Sequence, residues 1–250
     1  MEFVENFLTE IILSILMFVI GLTLTLIKKF YNKNKSASIL RFKNSKEKNF
    51  LCFTANSGHY DENELVTLGY VFEYMGVGEL RSFFRTIYKD MNMVVKMTPE
   101  KYEKVSRRDL HQDLILIGGP FHNVITANLV MYNPDRKLPF SFDDDASLIY
   151  DNGEERKVFS PSLSKGENQY YETDYALLLN IENPLKKGKR ILAFMGCRSI
   201  GCYGVAYYIT HYLKNLKKSL GKGDYAVVVK VSGDEEDIID EPEVVFHCTL

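Results

Sequence analysis

No two of the four cysteines, Cys52, Cys197, Cys202 and Cys248, form a Cys-x-x-Cys pair, and none stands at ligand spacing from a histidine. A zinc centre is therefore not expected, and thiols so scattered suit a reducing compartment. No Gly-x4-Gly-Lys-Ser/Thr string occurs, which sets aside ATP hydrolysis by a P-loop. The Gly-x-Ser-x-Gly nucleophile elbow is also missing. There is no internal repeat, and no low-complexity tract beyond one basic run.

Charge is missing altogether from Ile11 to Ile27, where the only hydroxyl side chains are Ser14, Thr23 and Thr25. Those hydroxyls can bond back to a carbonyl one helical turn earlier. From Phe7 to Ile27 there are 21 residues, and a bilayer core needs about 20 in a helix. A secretory signal would open on Lys or Arg and close on a small-residue cleavage site; this segment opens with Glu2 and Glu5 and closes on Lys28-Lys29. Residues 1–30 are expected to be a single transmembrane anchor.

The first 27 residues carry three glutamates and no basic residue, whereas residues 28–48 carry a net +7. With the whole chain at −2, residues 49–250 net −6, so the basic excess is local. Positive flanks stay on the cytoplasmic side. The expected arrangement is single-pass in the cytoplasmic membrane, N-terminus outside and the large domain inside. Residues 31–48 read as a juxtamembrane linker on anionic headgroups of the bilayer, a simpler account than a nucleic-acid polymer.

Residues 49–250 suffice for one domain with a sizeable core. Apolar runs at Phe50–Thr54, Met91–Met97, Asp113–Ile117, Tyr175–Ile181, Arg190–Met195, Tyr225–Val231 and Val244–His247 read as strands. Helices are expected over Glu62–Tyr74, Leu80–Tyr88, a short piece capped by Thr98, Asn123–Met131 and Tyr203–Leu220. Between Pro139 and Phe159 short strands flank Asp151-Asn152-Gly153, a hairpin signal. The alternation implies an α/β fold: a Rossmann-like, mostly parallel sheet with an antiparallel hairpin insertion and an antiparallel last strand.

In such sheets ligands bind beyond the carboxyl ends of the strands. Three loops qualify. They hold Thr54, Asn56 and Ser57; Gly118, Gly119 and Asn123; and Gly196, Arg198, Ser199, Gly201 and Gly204. Glycines let backbone N–H groups approach an anion at a helix N-terminus, Arg198 can add a bidentate contact, and Ser199 can donate a hydroxyl. Tight strand-to-helix turns need glycines too, so ligand contact and turn geometry both stand. Asn123 is placed either to cap its helix or to bond a base or ribose.

Cys197, before a helix N-terminus, with His122 or His59 as base, would make a nucleophile. Cys–His coincidences are common in a chain with five histidines, so no catalytic residue is assigned. Asp143-Asp144-Asp145 and the acidic loop near residue 235 read as solvated surface, and no metal or cofactor is expected. His111, His211 and His247 read as structural.

DLILIGGPFHN and NIENPLKKGKRILAFMGCRSIGCYG together resemble a Rossmann-like sensor type of prokaryotes, in which one strand ends in Gly-Gly-Pro-x-x-Asn and another in a Gly-rich turn before a long helix. One membrane helix, a basic linker and a cytosolic Rossmann-like domain is also similar to membrane effectors of nucleotide-signalled antiphage defence, including membrane proteins with CRISPR-associated Rossmann-fold domains. The resemblance implies a cytosolic domain that binds a nucleotide-like second messenger and acts on the bilayer as a homo-oligomer. A membrane-tethered enzyme on a nucleotide or sugar-nucleotide shares the fold and the rim, and a non-catalytic scaffold is the third expectation.

Overall fold

The computed structural model describes residues 2–42, 48–54, 64–88, 90–164, 170–218, 220, 223–233 and 240–250. Helix α1 (Glu2–Leu40) is one unbroken helix of 39 residues. From Leu13 on it is long and apolar enough to cross a membrane, and Leu13 to Ile27 expose their side chains. Thr23 and Thr25 donate their hydroxyls to the carbonyls of Val19 (2.7 Å) and Gly21 (2.8 Å), as the sequence predicts.

The interval expected to be linker is helical as far as Leu40, and its end is part of the domain. Ser36, Ile39, Leu40 and Phe42 are buried. Phe42 meets Phe50 edge-on at 4.8 Å, beside Phe84 and Tyr88. Arg41 then turns the chain with φ 58°. Lys28 and Lys29 are exposed and Lys33 and Lys35 half-buried on the turns just before Ser36, Ile39 and Leu40 enter the domain, and that burial prolongs the helix past its charged turns.

The main sheet has the order β11-β10-β8-β9-β3-β1-β2, with β7 on β8. Its strands are β1 (Lys48–Thr54), β2 (Met91–Met97), β3 (Asp113–Ile117), β7 (Ser162–Leu163), β8 (Tyr171–Glu182), β9 (Arg190–Gly196), β10 (Tyr225–Ser232) and β11 (Glu243–Thr249). β2, β1, β3 and β9 are parallel neighbours. β8 runs antiparallel to both β9 and β10, and β11 antiparallel to β10. Antiparallel pairing thus reaches the middle of the sheet, because NPLKKGK closes a β8–β9 hairpin. β4 (Phe140–Phe142), β5 (Leu148–Asp151) and β6 (Arg156–Phe159) form a separate antiparallel sheet around the expected turn at Gly153.

Both faces of the main sheet are covered. Phe50, Cys52, Ile115, Ile117, Leu192 and Phe194 face α2 (Glu64–Ile87), α4 (Ser199–Tyr212) and the end of α1. Alternate residues, among them Leu51, Phe53, Leu114, Leu116 and Ala193, face the small sheet and a wide-turned helix at Thr126–Met131. This period of two across a sheet buried on both sides explains the unbroken apolar runs.

α2 is one helix where two are expected. At Gly76 a Cβ would meet the Cβ of Ala206 at 3.3 Å, so this glycine allows close approach to α4 rather than ending the helix. Thr98 caps no helix: its N–H bonds to the Thr54 carbonyl (3.0 Å), and the following turns are Tyr102–Lys104 and α3 (Arg107–Leu110). α4 begins at Ser199, four residues before Tyr203, and tightens after Tyr212 into a narrow helix over Leu213–Lys218. α2 and α4 run from the carboxyl ends of the parallel strands to the opposite pole, where α1 joins.

Candidate functional site

The carboxyl ends of β1, β3 and β9 share one rim. Gly118 donates its N–H to the Phe194 carbonyl (3.0 Å), and a Cβ at Gly119 would meet the Gly196 carbonyl at 3.3 Å. Gly118 has φ 109°, which L side chains rarely adopt. Of the first loop only Thr54 is described; Asn56, Ser57 and His59 lie outside the described residues.

Asn123 is spent on structure. It is fully buried, its amide donates to the carbonyls of Phe53 (3.3 Å) and Ile117 (3.0 Å), and its Oδ1 accepts from the N–H groups of Ile125 and Thr126, both 3.1 Å. It caps its helix and ties β1 to β3, with no group left for a ligand.

The Gly-rich turn after β9 surrounds a buried carboxyl group that the chain supplies itself. Asp174, buried near the start of β8, accepts from the N–H groups of Tyr175 (2.7 Å), Arg198 (3.1 Å to each oxygen) and Gly201 (2.6 Å). Its carboxylate occupies the N-terminal end of α4. Burial pushes the Asp174 carboxyl up to about 7, against the pull of those N–H groups and of the Arg198 charge. The sequence conceals Asp174, because its partners lie 24 and 27 residues further on.

Each glycine of that turn has a packing reason. A Cβ would stand 2.0 Å from the Arg198 carbonyl oxygen at Gly196, 2.6 Å from Asp174 Oδ2 at Gly201, and 2.3 Å from Val231 Cγ2 at Gly204. Cys197 and Cys202 are buried, and burial pushes both thiols well up; Cys52 is pushed up to about 12. None of the three is an activated nucleophile at this rim. Among the described residues no group of three His, Cys, Asp or Glu is gathered for a metal.

What the rim leaves available is specific. The Arg198 side chain is exposed, with Nη2 donating to the Asp145 carbonyl (3.2 Å). His122 lies near it: partial burial and then the Arg198 charge hold its imidazole below the usual value. Ser199 is half-buried at the first turn of α4, and Phe121 is exposed. Thr54 at the end of β1, Thr98 just past β2, and Thr126 on the helix after β3 are all buried, their hydroxyls without a partner among the described residues. Thr98 and Thr126 are additions to the residues that the sequence singles out as ligand contacts. No family model matches the chain, and a comparison with curated proteins finds no match.

At the opposite pole α1 is clamped. Asn180 Nδ2 donates to the Leu40 carbonyl (2.7 Å), and the Tyr225 hydroxyl donates to the Ile39 carbonyl (3.1 Å). Arg190 holds Asn180 Oδ1 from Nε (3.0 Å) and Nη2 (2.7 Å), and its Nη1 pairs with Asp224 at 2.8 Å. Arg136 pairs with the same carboxylate. Burial pushes Asp224 up, but the two guanidiniums outweigh it and hold the carboxyl below its usual range. Carbonyls that a helix end leaves unpaired are here fixed to the sheet.

Proposed function

We propose that this chain is a membrane-anchored sensor. In this reading α1 spans the cytoplasmic membrane with its N-terminus outside, and the domain binds an anionic, nucleotide-like ligand at the rim. The observation that carries the reading is the trio of buried, unpartnered hydroxyls, Thr54, Thr98 and Thr126, close to the rim that exposes Arg198 and His122. A buried hydroxyl without a partner costs stability, so three at one rim point to groups that find partners when a ligand binds. Arg198 supplies positive charge for a phosphate. The parallel strands and the β1–α2–β2 crossover support a Rossmann-like reading, in which ligands sit at this end of the sheet. The rim lies away from α1, open to cytosolic ligands, with α2 and α4 joining the two poles.

The similarity in domain order to membrane effectors of nucleotide-signalled antiphage defence suggests the setting. A single helix forms no pore, so the response would be assembly of copies into a symmetric homo-oligomer. The test is a thermal-shift screen of the detergent-solubilised full chain against cyclic and linear nucleotides. A saturable upward shift, lost in Arg198→Ala, supports the proposal. A folded protein that no nucleotide shifts would sink it.

A different observation favours the scaffold reading. The N–H groups of Arg198 and Gly201 are spent on Asp174, so the Gly-rich turn has fewer amides to offer a phosphate. Under that reading α1 tethers the domain and the rim stays empty.

A further inference from the structure

A cavity of about 760 Å³ lies at the other pole, where α1 meets the carboxyl-terminal ends of α2 and α4. That is within the range of small-molecule sites, ~300–1,000 Å³. Four of its lining residues are lysines, Lys28, Lys29 and Lys33 on α1 and Lys214 just beyond α4, and none is acidic. None of the four lysines has an ion-pair partner among the described residues. The rest of the wall mixes apolar side chains, Leu26, Phe30, Phe83, Ile87 and Leu213, with neutral polar ones such as Ser36 and Thr210. Leu26 belongs to the uncharged stretch, so the cavity opens where the apolar part of α1 ends and runs down past its lysines.

We propose that this cavity holds the phosphate headgroup of an anionic phospholipid, with acyl chains rising along α1 beside Leu26. The proposal rests on the reading of α1 as a membrane span. Three observations carry it. The positive charge is uncompensated, the lysines of α1 follow directly on its uncharged stretch, which ends at Ile27, and the cavity stands at the headgroup level that Lys28-Lys29 would set. Lys214 comes from the domain, not from the anchor. The site therefore differs from a general attraction of basic residues to a charged surface: it needs the domain docked on α1.

The test uses the full chain in nanodiscs of phosphatidylcholine, alone or with about one-third phosphatidylglycerol, followed by native mass spectrometry of lipid retained after transfer to detergent. The expected result is one retained phosphatidylglycerol. In Lys33→Glu/Lys214→Glu its retention should fall about tenfold or more, while Lys101→Glu/Lys104→Glu, with the same change in charge near the far rim, leaves it unchanged. Phe83→Trp, which fills the apolar wall and keeps the charge, should also lower retention. Equal loss in the two charge variants, or no retained lipid, overturns the proposal. So does equal stabilisation by inorganic phosphate in phosphatidylcholine discs, which would assign the cavity to a free anion. Flotation with liposomes separates the two readings: a chain that floats but retains no lipid keeps its anchor and loses this site, whereas one that fails to float loses both.

Discussion

Asp174 and Asp224 lie at opposite ends of β8 and respond to pH with opposite sign. Burial raises Asp174 to about 7, so between roughly pH 4 and 7 the native chain holds a proton that the unfolded chain releases, and stability falls as pH rises through that window. Asp224 is depressed by its two arginines; its contribution is present above its unfolded pKa and is lost as pH falls through its native one. Unfolding midpoints of the detergent-solubilised chain should therefore drop from pH 5 to pH 7.5, and Asp174→Asn should flatten that slope while lowering stability overall. An unchanged slope in the variant would show that the carboxylate is already ionised at pH 5. The unpartnered hydroxyls give a second contrast. Thr54→Val or Thr126→Val removes a buried group that finds no partner among the described residues and should raise stability by about 1–2 kcal/mol, while weakening any nucleotide-induced shift. A variant that is both less stable and equally responsive would remove these hydroxyls from the rim's function.

At the scale of the elements, α4 is positioned by contacts that leave no room for a methyl group. Gly204→Ala drives a Cβ against Val231 and should cost about 1–3 kcal/mol, and Val231→Ala in the same chain should restore part of it; simple additivity in chemical denaturation would mean that the clash relaxes elsewhere. Most strands were legible from sequence because a sheet covered on both faces makes apolar runs. The β5–β6 hairpin was legible from its Asp-Asn-Gly turn. The single α2 was not, because the interval with two glycines between the two expected helices is itself helical, and Gly76 shows its reason only once Ala206 is seen against it. The early start of α4 was hidden in the same way, since its cap is a carboxylate from another strand. The rim was legible as a place: of the two roles the sequence leaves open for Asn123, Gly196, Gly201 and Gly204, the contacts supply the structural one, whereas Thr98 reads as a helix cap and Thr126 carries no local motif. Tertiary partners, invisible to spacing, decided each of these cases.

For the whole molecule, the cysteines report orientation without engineering. Cys52, Cys197 and Cys202 are buried, and Cys248 on β11 is the more accessible thiol, itself pushed up by partial burial. An impermeant maleimide at mildly alkaline pH should label about one thiol per native chain, and only from the cytoplasmic side under the proposed topology. Labelling in intact cells would reverse the orientation. The unbroken α1 has a last consequence. Its 39 residues, at ~1.5 Å each, make a rod nearly 60 Å long whose lower end is fixed to Asn180 and Tyr225. A rod held at one end fixes azimuth as well as position: in the proposed assembly, which side of the apolar stretch would face a neighbouring copy is set by the sheet. One alanine inserted between Asn34 and Lys35 would turn that side by about 100°, and seven would return it nearly to phase. Under the proposed function, the response of the membrane should follow that period.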